Sequence, residues 1–150
     1  MSLLRVSHRQ QLRQADCLAA CAAMVLEYLQ VPSTYQDLLK RLRIESYGAP
    51  FSNLRQLESL GVKVLIQRGT IESLREHLER GLPPIAFVNT EQLGYWKEST
   101  SHAVVVLGIE DNQIYLDDPA FTEAPQVISL DEFMLAWIDL DQFYALIELR

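Results

Sequence analysis

The alternation of hydrophobic and polar positions divides the chain into a helical first part and a strand-rich second part. A nearly unbroken apolar run over residues 18–29 predicts a buried helix, because a helix that is apolar on all sides has no face for solvent. A capping-box pattern over residues 33–36 predicts a short amphipathic helix over residues 37–42. Another helix is predicted to start at Ser52 and to stop at Gly61.

Strand patterns dominate the second part. Residues 62–67 alternate like a strand, Thr70 caps a helix over residues 71–80, and residues 84–88 predict a buried strand. Residues 102–109 and 113–117 flank a polar turn and predict a hairpin. A short strand at 127–128, a helix over 133–138 after a capping-box pattern at 129–132, and a closing strand over 143–148 complete the chain. This order predicts an α+β fold with a mainly antiparallel sheet.

Composition narrows the class of protein. With 150 residues, 49% of them apolar and 22% charged, the chain is expected to form one soluble globular domain over residues 1–150. The net charge of −7 and the scattered basic residues argue against nucleic acid as a partner. No apolar run is long enough to span a bilayer, and the first residues lack the apolar core of a signal peptide, so we expect a cytoplasmic protein with free thiols.

The first candidate for chemistry is Cys17, at the predicted start of the apolar helix. Asp16 is expected to cap this helix with its carboxylate, which places Cys17 in the first turn. The positive end of the helix dipole favours the thiolate there, and the thiolate is the nucleophile. Cys21, one turn further into the apolar run, is interpreted as an ordinary core residue.

Two other uses of the cysteines are weighed. A disulfide between Cys17 and Cys21 is disfavoured, because β-carbons one helical turn apart lie roughly 5–6 Å from each other, whereas a disulfide needs about 3.5–4.5 Å. A metal site built from Cys17, Cys21, His102 and Asp118 is conceivable. It would have few ligands and match no closed-site spacing, so no metal is expected.

The second candidate is a histidine and carboxylate pair on the predicted hairpin. His102 opens its first strand, and Asp118 lies just past the end of the second, so the two side chains are expected to meet. A carboxylate in that position holds the tautomer of the imidazole and stabilises its protonated form. The other histidines compete poorly: His77 is predicted on a solvated helix face, and His8 in a ragged segment that at most lines a cleft.

These residues resemble a known family. Gln11, Asp16-Cys17 and Cys21, followed by Ser101-His102-Ala-Val-Val-Val-Leu-Gly108 and Asp118-Pro119, look like the papain-like peptidases that remove double-glycine leader peptides from bacteriocins. The resemblance runs from the glutamine to the closing strand and implies a papain-like fold. It further implies that Cys17 is the nucleophile, His102 the general base, Asp118 its orienter, and Gln11 an oxyanion donor. It implies a peptide or protein substrate and no cofactor.

The sequence departs from this family at Leu18, where a glycine usually follows the cysteine. A leucine there narrows the cleft or changes which residues fit before the cleaved bond. No transmembrane or ATPase segment follows in this sequence, so we expect a free-standing unit and leave any exporter partner, the substrate and the oligomeric state open. Three functions remain: a cysteine peptidase, a catalytically idle peptide-binding relative, or an amidase or other acyl-transfer enzyme with the same triad.

Overall fold

A computed structural model of the protein describes residues 3–150, which form four α-helices, two 3-10 helices and six strands. The helices are α1 (Cys17–Tyr28), α2 (Tyr35–Arg41), α3 (Ile71–Glu79) and α4 (Leu130–Ile138), with 3-10 helices at Phe51–Leu60 and Thr90–Gln92. The strands are β1 (Val62–Arg68), β2 (Ile85–Asn89), β3 (Ser101–Glu110), β4 (Gln113–Asp117), β5 (Gln126–Ser129) and β6 (Phe143–Leu149).

The strands form a single antiparallel sheet in the order β1-β6-β2-β3-β4-β5. The chain thus returns from the far edge to place β6 between β1 and β2. The predicted α+β class and the antiparallel sheet are confirmed, as is the hairpin formed by β3 and β4. A register shift between Val106 and Gly108 makes a bulge in this hairpin.

Helices cover both faces of the sheet. On one face, α1, α2 and the 3-10 helix Phe51–Leu60 pack against Ala103, Val105 and Leu107 of β3. On the other, α3 and α4 pack against the alternate residues Val104 and Val106. Since both faces of β3 are buried, it shows the continuous apolar run of a central strand rather than an alternating pattern.

Several predicted helix boundaries differ from the structure. Helix α2 starts at Tyr35, because the Thr34 hydroxyl accepts from the Asp37 amide and so is the cap within the predicted capping box. The segment predicted to start a helix at Ser52 is a 3-10 helix, which ends at the left-handed Gly61 as expected. Helix α4 starts at Leu130, where Ser129 accepts from the Glu132 amide. The 3-10 helix Thr90–Gln92 was not predicted.

Candidate active site

Cys17 is the first residue of α1, and its side chain is half-buried at that end of the helix. The next residues, 18–26, are all buried, so core packing holds the first turn in place. The structure therefore confirms that a cysteine lies at the positive end of a buried helix, where a thiolate is favoured.

Asp16 lies directly before this helix but does not cap it with its side chain. Its fully buried carboxylate instead accepts from Arg13 Nε at 3.2 Å and from the Tyr35 hydroxyl at 3.1 Å. The predicted side-chain cap is wrong, because these two donors occupy the carboxylate. Asp16 consequently ties the segment before Cys17 to the start of α2.

His102 and Asp118 meet at the mouth of the β3–β4 hairpin, with His102 Nε2 and Asp118 Oδ1 2.7 Å apart. The pair is not directly cross-strand, since Asp117 is already opposite Val105 in the register. Asp118 instead lies one residue beyond β4. With Nε2 bound to the carboxylate, Nδ1 is the ring nitrogen left to interact with Cys17, which lines the same cleft as His102.

The environment of this pair favours charge separation. Burial lowers the pKa of His102, but hydrogen bonds with Asp118 and Cys17 outweigh that effect and raise it to about 9. Burial raises the pKa of Asp118, but hydrogen bonds from His102, the Ala120 amide and Trp96 hold it below its ordinary value. An imidazolium and a carboxylate are therefore stable side by side in a nearly dry site.

Two aromatic residues that the sequence analysis missed complete the surroundings of Asp118. The Tyr95 hydroxyl donates to Oδ2 at 2.8 Å and Trp96 Nε1 donates to the same oxygen at 2.9 Å. The Trp96 ring also lies edge-on to His102, with ring centroids 4.7 Å apart. The only sequence signal was the occurrence of two adjacent large aromatics in an otherwise polar segment.

Cys17 and His102 face a cleft of about 140 Å³. Its walls also include Leu18, which is only 3% exposed, and the aromatic residues Tyr47, Phe87 and Trp96. Leu18 thus lines the cleft, as expected from its position after the cysteine. A larger cavity, about 440 Å³, lies at the other end of α1, away from this chemistry.

Gln11 lies near the His102–Asp118 pair, but it is not among the described residues that line the cleft. Its backbone amide donates to the Pro119 carbonyl at 2.8 Å, which brings it next to Asp118 in space. Its side-chain Nε2 donates to the Gln14 carbonyl at 3.0 Å. Its Oε1 is buried without a hydrogen-bond partner among residues 3–150. In this arrangement the amide is committed to Gln14 rather than aimed at the cleft.

The other titratable residues singled out from the sequence have different environments. The Cys21 thiol is fully buried and donates to the Ala103 carbonyl, which confirms it as a core residue. His77 is not on a solvated face: its Nε2 contacts the Tyr144 hydroxyl at 2.8 Å, because α3 packs on the sheet. His8 is held beside the His102–Asp118 pair rather than in a ragged segment, since its Nε2 contacts the backbone carbonyl of Asp118 at 2.9 Å.

A buried helix that starts with a cysteine and packs on an antiparallel sheet, with a histidine and an aspartate at the end of one hairpin, is an arrangement suited to a cysteine peptidase. The family model for the peptidase C39 family matches residues 5–141. The chain belongs to this family and is a cysteine peptidase. A comparison with curated protein sequences finds no significant match.

Solved structures share this fold over nearly the whole chain. A double-glycine motif protease from an AMS/PCAT transporter, crystallised with a leader peptide, has a TM-score of 0.79 at 20% identity, over 99% of this chain and 95% of that one. A C39-like peptidase from Bacillus anthracis has a TM-score of 0.81 at 17% identity, over 100% and 99%. The peptidase domain of Streptococcus ComA, a bifunctional ABC transporter, has a TM-score of 0.80 at 17% identity, over 97% and 100%.

Within residues 3–150, none of the helices combines the length and hydrophobicity that crossing a membrane requires.

Proposed function

We propose that Cys17, His102 and Asp118 form the catalytic triad of this peptidase. The observation that carries the proposal is the buried 2.7 Å contact of His102 with Asp118 beside the thiol at the start of α1. His102 takes the thiol proton, and the thiolate attacks the scissile carbonyl. His102 then gives the proton to the leaving amine, which leaves a thioester on Cys17. Water hydrolyses this thioester and restores the thiol.

Gln11 is proposed as the side chain that donates to the developing oxyanion, together with the Cys17 amide. Its side chain supports this role, because it reaches Gln14, which lines the cleft together with Cys17, and its amide has to leave the Gln14 carbonyl to perform it. Gln11→Ala is expected to lower kcat by on the order of 10²–10³ with little change in KM. Gln10→Ala is the matched control. A change in KM alone would remove Gln11 from the mechanism.

We propose peptides with small residues, such as Gly-Gly, before the cleaved bond as substrates. The narrow cleft between Leu18 and the aromatic walls supports this choice, because a small residue lets the scissile carbonyl approach Cys17. We also propose that residues 1–150 act as one domain, since the last strand pairs with both β1 and β2. A nucleophilic thiol further fits a reducing compartment such as the cytoplasm.

Thiol reactivity and hydrolysis together test the proposal. Iodoacetamide should label Cys17 at neutral pH much faster than the buried Cys21. Cys17→Ala should abolish hydrolysis of a Gly-Gly peptide library and leave the fold intact, whereas Cys21→Ala should cost stability. Slow labelling of Cys17 would indicate an idle peptide-binding relative. Fast labelling without peptide cleavage would favour an amidase or another acyl-transfer reaction.

A further inference from the structure

The carboxylate of Asp118 is fully buried and has four hydrogen-bond donors. His102 and the Ala120 amide share Oδ1, while Tyr95 and Trp96 both donate to Oδ2. A buried carboxylate oxygen without donors destabilises the fold. The carboxylate can then also rotate towards another partner. The two aromatic donors therefore hold Oδ2 in place, and so set the orientation in which Oδ1 faces His102.

The loop that carries Tyr95 and Trp96 is held by hydrogen bonds at its base and at its tip. At its base the buried Thr90 accepts from the Thr100 amide at 2.9 Å and donates to the Glu98 carbonyl at 2.7 Å. At its tip the Gly94 amide donates to Glu132 of α4 at 2.7 Å. These contacts hold the loop in one place over the end of β4.

Phe121 closes the other side of the aromatic pair. Its ring lies edge-on to both Tyr95 and Trp96, with centroids 5.2 and 5.3 Å away. Edge-to-face packing of this kind is directional, so it restricts the rotation of both rings. Trp96 therefore presents its N–H to Asp118 while its ring contacts His102 and borders the cleft.

We propose that Tyr95 and Trp96 are positioning residues of the triad, and that Trp96 also contacts the bound peptide. This inference rests on the proposed function, since it assigns the two residues to the Asp118 of that triad. The roles of Tyr95 and Trp96 can be measured separately. Tyr95 acts only through Asp118, whereas Trp96 acts through Asp118 and through the wall of the cleft.

Phenylalanine variants remove the donors: Tyr95→Phe keeps the same ring, and Trp96→Phe leaves a smaller aromatic ring in place of the indole. Tyr95→Phe is expected to lower kcat on the order of ten-fold at unchanged KM, because it removes one hydrogen bond to a charged group. Trp96→Phe should lower kcat similarly and also raise KM. The control is Tyr115→Phe. The Tyr115 hydroxyl, on β4, makes no hydrogen bond within residues 3–150, so its removal should leave kcat and KM unchanged. Thermal melts of each variant report folding separately.

A double-mutant cycle with Asp118→Ala distinguishes positioning from general damage. The rate of Cys17 alkylation by iodoacetamide is the readout, because it needs no peptide and survives failure of the proposed substrate. Tyr95→Phe should slow alkylation in the wild-type background and have no further effect once Asp118 is removed. An undiminished effect of Tyr95→Phe in the Asp118→Ala background would overturn the inference, as would wild-type kinetics in both phenylalanine variants.

Discussion

At the scale of single residues, Asp117 and Asp118 are neighbours in sequence but have opposite environments. Asp118 is held ionised by its donors, whereas Asp117 Oδ2 is buried without a partner among the described residues. Burial raises the pKa of Asp117 to about 6, although His8 opposes the effect. Asp117 is the last residue of β4, and Asp118 follows directly after it. Adjacent residues at the end of a strand point to opposite faces of the sheet, so the two side chains are separated.

Asp118→Asn should shift the pH dependence of hydrolysis. His102 must be protonated to give its proton to the leaving amine, so kcat is expected to fall as the pH rises through about 9. Without the Asp118 charge, only Cys17 opposes the lowering of the His102 pKa by burial, so the fall should occur at lower pH. A kcat–pH profile measures this. Asp117→Asn, the control, should leave the profile in place, and a larger shift in that variant would exchange the roles of the two aspartates.

Leu18 is expected to limit the size of the residue that fits before the cleaved bond. Leu18→Ala enlarges the cleft, so the ratio of kcat/KM for alanine-containing over glycine-containing peptides should rise. Loss of the buried side chain also costs about 2–5 kcal/mol of unfolding free energy. Leu26→Ala, in the same helix but away from the cleft, controls for this loss. An equal change of the ratio in both variants would show that Leu18 does not determine specificity.

At the scale of elements, helix ends were the least predictable feature. The residue that caps a helix is the one whose backbone leaves the helical region and whose oxygen reaches an amide of the first turn. In the segment Ser33-Thr34-Tyr35-Gln36 either hydroxyl fits the sequence pattern, and the structure selects Thr34. At Asp16 the pattern was favourable but tertiary partners took the carboxylate.

Thr34→Ala should destabilise the protein by about 1 kcal/mol, because the Asp37 amide loses its acceptor. Ser33→Ala should change the free energy of unfolding much less, since the Ser33 hydroxyl is not the cap of α2. Urea unfolding at one pH compares the two variants. A larger loss from Ser33→Ala would place the cap one residue earlier.

At the scale of the whole molecule, the sheet between two helical layers makes stability depend on the charges trapped within it. The folded pKa of Asp117 is raised from 3.8 to about 6, so the native state binds more protons than the unfolded state between these values. Stability is therefore lost as the pH rises through this window. Asp118 has the opposite sign, because its folded pKa is lowered.

Asp117→Asn should remove the cost of the buried charge. Its unfolding free energy relative to the wild type should increase between pH 4 and pH 7. The loss of stability in Asp118→Asn should already be present at pH 4 and should shrink as the pH falls further, because the fold keeps this carboxylate ionised below its ordinary pKa. Urea unfolding at several pH values measures both differences. A pH-independent difference for Asp117→Asn would mean that this carboxyl titrates normally.

The net charge of −7 is also a property of the whole molecule, and it should influence substrate choice. Neutral or basic peptides should be cleaved faster than acidic ones with the same residues at the cleaved bond. Added salt should reduce this difference, because it screens charges separated by more than about 10 Å at 0.1 M. A difference that persists at high salt would have to arise from direct contacts in the cleft.

The helix of Cys17, the hairpin that carries His102, the α+β class and the family could all be predicted from the sequence alone. These features depend on local periodicity and on short motifs. A buried helix needs a continuous apolar run, and a hairpin needs two strand patterns around a polar turn, so each is visible within about 20 residues.

The groups that surround the site could not be predicted in this way, because they come together only in the folded chain. Tyr95 and Trp96 approach Asp118 from a loop 22 or more residues earlier in the chain, and His8 approaches it from 110 residues away. Asp16 does not cap α1 as predicted, because its carboxylate accepts from the hydroxyl of Tyr35, 19 residues further on. Hydrogen bonds and buried charges are satisfied by whichever groups the packing of helices on the sheet brings close. That proximity depends on the order of strands and on loop paths, which no local pattern encodes.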